Sequence, residues 1–255
     1  MTTDPTALES QPSADDADEP NDDVNNEPNE PSDDEPNEPS EPNEPSDDVN
    51  NEPSDAARVH LKPRKCRPFY HRHPWVFAKA VEQVQGGPAD GDAIELMSDK
   101  GQFIAHGVFN SKSRIRARLY SWDQEQPLDA SFWRSRLEAA LELRKSLGGS
   151  EPQGAQRLVY SESDGISGLI VDRYGEFLSV QITASAIARR WDDVLPLLVE
   201  LTNPRGVTTR ADSGVVRAEG FDPEQLASWG ETPDEPVVIE ENGLRFLVNL
   251  QEGHK

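Results

Sequence analysis

The chain has 255 residues, and its formal net charge of -23 is distributed unevenly. Residues 1–57 carry no Lys or Arg and twenty of the 48 acidic side chains, so residues 58–255 set all 25 basic groups against the other 28 acids. A single cysteine, Cys66, excludes a disulfide framework or a cysteine-rich zinc site within one chain, and no run approaches the roughly 18 apolar residues of a membrane span.

Residues 1–57 also hold ten of the 21 prolines and no aromatic side chain, and "DDVNNEP" at Asp22–Pro28 returns at Asp47–Pro53. Such a segment buries too little apolar surface to offset its ordering entropy, which predicts a disordered, extended acidic tail. A solubilising tail is the plainer reading. The alternatives are a mimic of nucleic acid and a segment that engages a basic partner. No basic stretch followed by an apolar run succeeds Met1, so the expected location is the cytoplasm.

Residues 58–122 reverse the charge, with twelve Lys or Arg against five acids. Short apolar runs, "AIELMSD", "FIAHGVFN" and "IRARLYSW", are punctuated by turns and predict a small β structure. In the last run Ile115, Ala117 and Leu119 fall on one face and Arg114, Arg116 and Arg118 on the other, a candidate track for phosphates. A solvated face paired with nearby acids fits that alternation equally well. The cluster "KPRKCR", with Lys62, Arg64, Lys65 and Arg67, and "FYHRHPW", with His71, Arg72, His73 and Trp75, turn the balance towards nucleic acid. His71 and His73 lack further metal-ligating partners in the pattern, so contact with RNA or simple packing is favoured over a metal site. Cys66 lacks an activating partner and reads as a small loop residue.

Residues 129–147 predict a helix, with Trp133, Leu137, Ala140 and Leu141 on one face, Asp129 or Ser131 as cap and Gly148-Gly149 as stop. Strands are expected at "RLVYS", "GLIVDRY" and "FLSVQIT", then a helix from about Ser185 to Leu201 that Pro196 kinks or restarts near Asp193. "GVTTR" reads as a further strand and the stretch up to Pro233 as loop. The last element is a hairpin turning at Asn242-Gly243. Ser161, Ser163, Asp164 and Asp172 have no histidine nearby to complete a nucleophilic triad, and Gly165 and Gly168 suit a turn before a strand.

Taken together, "HPWVF", "GVFNSKSRIRARLYSW", "DGISGLIVDRYG" and "ENGLRFLVNLQEGHK" resemble the ribosomal large-subunit methyltransferase I family. Its members are class I S-adenosylmethionine (SAM)-dependent enzymes that methylate C5 of a cytosine in large-subunit rRNA. The resemblance places His73, Pro74 and Trp75 in the opening segment of a PUA domain, and Asn110, Ser113 and Arg116 in its closing segment. Ser111 and Ser167 stand where the family pattern has proline.

The fold class that follows is α+β: a disordered acidic tail over 1–57, a PUA-like small β-barrel over 58–124, and a connecting helix with a small strands-helix-strands domain over 129–250. Residues 251–255 read as a linker cut short, with the Rossmann-like catalytic domain absent. The resemblance implies RNA, specifically large-subunit rRNA, as partner, and SAM as cofactor of the full-length family, with none expected in this chain. RNA contacts are expected from Lys62, Arg64, Lys65, Arg67, His71, Arg72, His73, Trp75, Arg114, Arg116 and Arg118, and no catalytic residue is expected. The alternative is a stand-alone RNA-binding protein without catalysis.

Overall fold

The computed structural model describes residues 56–148 and 153–251. Almost all of the acidic tail, and the last four residues of the supposed linker, lie outside them.

The first strands follow the alternation of the basic segment. β1 (Ala57–Leu61), β2 (Trp75–Phe77), β3 (Val81–Gln85), β4 (Ala93–Met97), β5 (Phe103–Phe109) and β6 (Ile115–Ser121) form one sheet in the order β2-β6-β5-β4-β1-β3. β1 and β4 run parallel, and the other neighbours antiparallel. The two edge strands, β2 and β3, are joined by only the turn Ala78–Ala80. Such a link reaches roughly 14 Å at full stretch, so the edges must come together and the sheet curls into a barrel. Register shifts at His60/Leu61, Val76/Phe77, Leu96/Met97 and His106/Gly107 supply the local bends that closure needs. At Gly107 a Cβ would lie 2.7 Å from the Arg118 carbonyl oxygen, so only glycine permits this strand contact. The interior is filled by Val59, Leu61, Val76, Ile94, Leu96, Ile104, Ala117 and Leu119, with Phe69 inserted from α1 (Arg67–Tyr70).

α2 (Ala130–Ser146) starts where the sequence indicates: Asp129 caps it by accepting from the Phe132 N–H at 2.9 Å. Ser131 instead donates its hydroxyl to Asp129, at 2.7 Å. The helix buries Phe132, Trp133, Leu137 and Ala140.

A second, five-stranded sheet follows in the order β11-β10-β9-β8-β7. Its strands are β7 (Ala155–Tyr160), β8 (Leu169–Tyr174), β9 (Phe177–Ile182), β10 (Gly206–Arg210) and β11 (Trp229–Gly230). β9 and β10 are parallel, connected through α3 (Ser185–Ala188) and α4 (Trp191–Thr202). The helical stretch restarts at Trp191, two residues before the expected point, and Pro196 is accommodated inside α4.

The expected fold class is therefore corrected. In place of a small α+β unit with nothing Rossmann-like stands a mixed sheet with a parallel β-α-β crossover, the unit from which such sheets are built. The expected loop before Pro233 also contains α5 (Ser213–Glu219), capped by Asp212 and stopped by left-handed Gly220.

The closing hairpin, β12 (Val237–Glu241) and β13 (Leu244–Val248), turns through Asn242 (φ 53°) and Gly243 (φ 76°), both positive as its tight turn requires. It forms its own two-stranded sheet beside the larger one, and Leu244 and Leu247 stay exposed.

The two cores are not independent. Val108 and Tyr120, carried by β5 and β6, belong to the apolar cluster of the second sheet, and the Tyr120 and Trp133 rings meet edge-on at 5.0 Å. Among the described residues no helix is long and apolar enough to cross a membrane.

Candidate nucleic-acid interface

The segment between β1 and β2 carries most of the residues singled out from the sequence, and its backbone is firmly built. Lys65 N–H closes a turn on the Lys62 carbonyl at 3.1 Å, with Arg64 at a left-handed φ of 65°. Cys66 and Phe69 point into the barrel, and Trp122 Nε1 donates to the Phe69 carbonyl at 2.7 Å. Burial pushes the Cys66 thiol up, and its Sγ donates to Asp99 Oδ1 at 3.5 Å. This protonated thiol serves as an anchor. Arg72 takes a second left-handed turn (φ 61°), and His73 N–H returns to the Pro68 carbonyl at 3.1 Å.

Outward from this frame, Lys62, Arg64, Lys65, Arg67, His71, Arg72 and His73 are all exposed. Among the described residues none of them is in an ion pair. The His73 ring stands edge-on to Phe69 at 6.3 Å and to Trp75 at 6.1 Å, and its Nδ1 accepts from the Trp75 N–H at 3.2 Å. Tyr70 is exposed beside them. The arrangement joins unneutralised charge to accessible rings on a fixed scaffold, the combination that single-stranded RNA contacts require.

The arginines of β6 behave differently. Arg114 is exposed, just ahead of the strand. Arg116 is half-buried, donating to the carbonyls of Asn110 and Ser111 and lying over the Phe109 ring at 5.9 Å. Arg118 is buried. Its guanidinium donates to Glu219 Oε1 at 3.1 Å and Ser167 Oγ at 3.0 Å, lies 3.5 Å from Glu162 Oε1 and 5.8 Å from the Trp75 ring centre. The row of three exposed guanidiniums expected along this strand is not formed, because β6 faces the second sheet and Arg118 is consumed there.

Around Arg118 a polar seam ties the barrel to the second sheet. Glu219 also accepts from Ser113 Oγ at 2.8 Å and from the Ser185 N–H at 3.2 Å, while its carbonyl takes the Asn110 amide at 2.9 Å. Glu162 accepts from Trp75 Nε1 at 2.9 Å and Ser167 Oγ at 2.7 Å. Burial alone would raise the Glu162 pKa. The hydrogen bonds from Ser161, Ser167, its own backbone and Trp75 outweigh that and hold it below the usual glutamate value. Tyr120 donates to the Ser167 carbonyl at 2.8 Å, and burial drives its phenol far above the ordinary range.

Both departures from the family pattern thus carry a bond that proline could not make. Ser167 supplies a hydroxyl to the seam, and Ser111 donates its N–H to Asp90 at 2.6 Å. Asn110 and Ser113, which the resemblance assigned to the closing of the barrel, bind the second sheet's Glu219. Glu219 was missed from the sequence, although Asp212 and Gly220 flank its helix as cap and stop.

His71 and His73 bring no metal-binding company: among the described residues no three His, Cys, Asp or Glu side chains converge. Ser163 and Ile170 lie with Trp75 and Arg118 around an open hollow of about 400 Å³, and Asp164 and Asp172 are bound to Arg144 and Arg157.

Comparison with known proteins gives this geometry a family setting. Residues 59–122 match the PUA-like domain family. The chain is 38% identical over 201 residues to Ribosomal RNA large subunit methyltransferase I of Aeromonas hydrophila subsp. hydrophila, covering 78% of this chain and 51% of that protein. The protein of the same name from Aeromonas salmonicida is 36% identical over 197 residues, covering 77% and 50%. The chain spans about half the length of the curated relatives it matches.

Among solved structures, one described as a SAM-dependent methyltransferase from Streptococcus mutans aligns with a TM-score of 0.60 at 17% identity, covering 75% of this chain and 49% of that one. Another, described as a methyltransferase complexed with SAH, gives 0.58 at 18%, covering 75% and 48%. This likeness in fold overturns the expectation that a Rossmann-like methyltransferase fold is absent. The resemblance to ribosomal RNA large subunit methyltransferase I read from the sequence is matched by these relatives, at 38% and 36% identity over about half their length.

Proposed function

We propose, from the premise of that kinship, that this chain acts in SAM-dependent methylation of large-subunit rRNA, on C5 of a cytosine, in the cytoplasm, and that its barrel is what grips the RNA. The observation that carries the reading is the exposed run Lys62, Arg64, Lys65, Arg67 and Arg72, without ion pairs among the described residues and held beside Tyr70, His73 and Trp75. The cations neutralise backbone phosphates, the exposed rings receive unstacked bases, and the polar seam fixes the barrel relative to the second sheet so that a gripped RNA has one orientation. Arg114 adds to the cationic surface. Arg116 and Arg118 act indirectly, by holding the closing segment and the seam.

SAM supplies the methyl group in this reaction class. The expectation that this chain takes no cofactor has no support from the relatives, one of which is a methyltransferase complexed with SAH. The described residues nonetheless do not fit it at the place where parallel sheets hold nucleotides. The β9–α3 turn, Thr183-Ala184, lacks glycine, and the Ser185 N–H is already given to Glu219. No step is therefore assigned to the cofactor here.

The test is a pair of assays on the full chain: binding of a large-subunit rRNA transcript across a salt series, and transfer of labelled methyl from SAM to that transcript. Five phosphate contacts on a single strand correspond to a log–log salt slope of about -3.5. Salt-insensitive or absent binding would overturn the assignment of the basic segment.

A further inference from the structure

A second feature, at the barrel's junction with the second sheet, shares only Arg72 with the exposed cationic run. Between them lies a cleft of about 290 Å³, walled on the barrel side by Arg72, Leu119 and Trp122 and on the other by Arg136, Glu162 and Gly165. We propose that this cleft holds one unpaired nucleotide of an RNA strand, its phosphate between Arg72 and Arg136 and its base against Trp122 and Leu119. The proposal rests on the RNA-binding reading above and deepens it.

Arg136 is the main reason. The other arginines of its helix, Arg134 and Arg144, are each bound to a carboxylate. Arg136 has no ion pair among the described residues, and its Nε is buried without a hydrogen-bond partner. A buried guanidinium nitrogen left without an acceptor is costly, on the order of 1–3 kcal/mol, and marks a place where an acceptor is missing. The side chain is nevertheless oriented: the guanidinium lies 5.0 Å from the Phe132 ring centre and passes over Gly165. Gly165 takes a left-handed φ of 71°, and a Cβ there would lie in ordinary contact with Arg136, 3.8 Å away. Arg72 lines the same cleft from the barrel side, exposed and likewise without an ion pair among the described residues.

The opposite end of the cleft has the other sign. Glu162, held ionised by its hydrogen bonds, repels a phosphate and offers an acceptor to base N–H groups, so the ligand has a fixed polarity. The half-buried Trp122 is locked by its bond to the Phe69 carbonyl and provides a flat wall. The volume sits at the lower end of ligand sites, roughly 300 Å³, which suits one nucleotide and not a stacked pair. A base in a duplex would first have to be unstacked, so the cleft selects single-stranded RNA.

The experiment compares a fluorescently labelled single-stranded oligoribonucleotide with the same sequence in duplex form, binding to the full chain. Arg136→Gln keeps the stem over Phe132 and leaves the exposed run untouched. It is expected to weaken single-strand binding about tenfold, the scale of one charge-assisted hydrogen bond, while duplex binding stays unchanged. Arg136→Lys should recover most of the loss, and unchanged thermal transitions show that the fold is intact. Equal weakening for both RNAs, or no change for either, overturns the nucleotide cleft and leaves the RNA-binding reading standing. An unaltered chain that binds neither RNA overturns both.

Discussion

Two groups of cations in the barrel illustrate what a run of basic residues can mean. Lys62 to Arg72 project from a turn whose backbone is pinned by Phe69, Cys66 and Trp122, and they meet no acid among the described residues. Arg118 lies only a strand away and is enclosed by Glu219, Glu162, Ser167 and Trp75. Similar side chains in similar basic sequence have opposite duties. The exposed group keeps its charge available to a ligand and adds little to folding. The enclosed one is neutralised in place and fixes how two sheets meet. Sequence pattern registers the charge, but tertiary contact decides which duty it serves.

The sharpest way to break this contrast is to exchange the expected outcomes. Arg118→Ala leaves Glu219 buried without its cation, and unfolding in denaturant should show a loss of about 3–5 kcal/mol. RNA binding would fall only as the folded fraction falls. Should Arg118→Ala unfold normally but lose RNA affinity, the buried arginine would be a ligand contact after all.

Reversing the exposed group, with Lys65→Glu and Arg67→Glu together, is expected to weaken RNA binding on the order of tenfold to a hundredfold at moderate salt and to flatten the salt slope by about 1.4. The unfolding midpoint should hardly move. Smaller in size is Tyr120→Phe, which removes the hydroxyl that donates to the Ser167 carbonyl. A destabilisation of about 1–2 kcal/mol is expected, read by denaturant titration, with no change in the salt slope.

The finest probe is pH. Glu162 has a folded pKa below its unfolded value, so its contribution to stability is fully present above the ordinary glutamate pKa and is lost as pH falls through the lowered one. Glu162→Gln should therefore reduce stability near neutrality and make the acid limb of a stability-against-pH curve shallower. An unchanged acid limb would mean that the seam does not depend on this carboxylate's charge.

Much of this was legible in the sequence wherever local physics dominates. α2 announces itself through Asp129, the spacing of Trp133, Leu137 and Ala140, and the glycine stop. The hairpin does so through Asn242-Gly243. The restart at Trp191 was misplaced by two residues, because Pro196 forbids a bond inside the helix but does not itself say where the break falls. α5 was overlooked for its brevity: seven residues with few apolar positions give no periodicity, so only its cap and stop signalled it.

The outward face of β6 could not be read at all from alternation. Arg114, Arg116 and Arg118 alternate in the sequence, but Arg114 stands in solvent ahead of the strand, Arg116 folds back onto Asn110 and Ser111, and Arg118 enters the second sheet's seam. Nor could the sequence reveal that Asn110, Ser113 and Glu219 would meet, since nothing in either segment codes for the other.

That separation has a consequence in time. Arg118 and its partner Glu219 lie about a hundred residues apart, so a ribosome adding 5–20 residues per second delivers the second roughly 5–20 s after the first. Glu162 and Ser167 are made about half-way through that interval, so a finished barrel would present Arg118 without its buried partner Glu219 until the end of it. Arrival of the short helix Ser213–Glu219 supplies the last carboxylate of the contact between the two sheets.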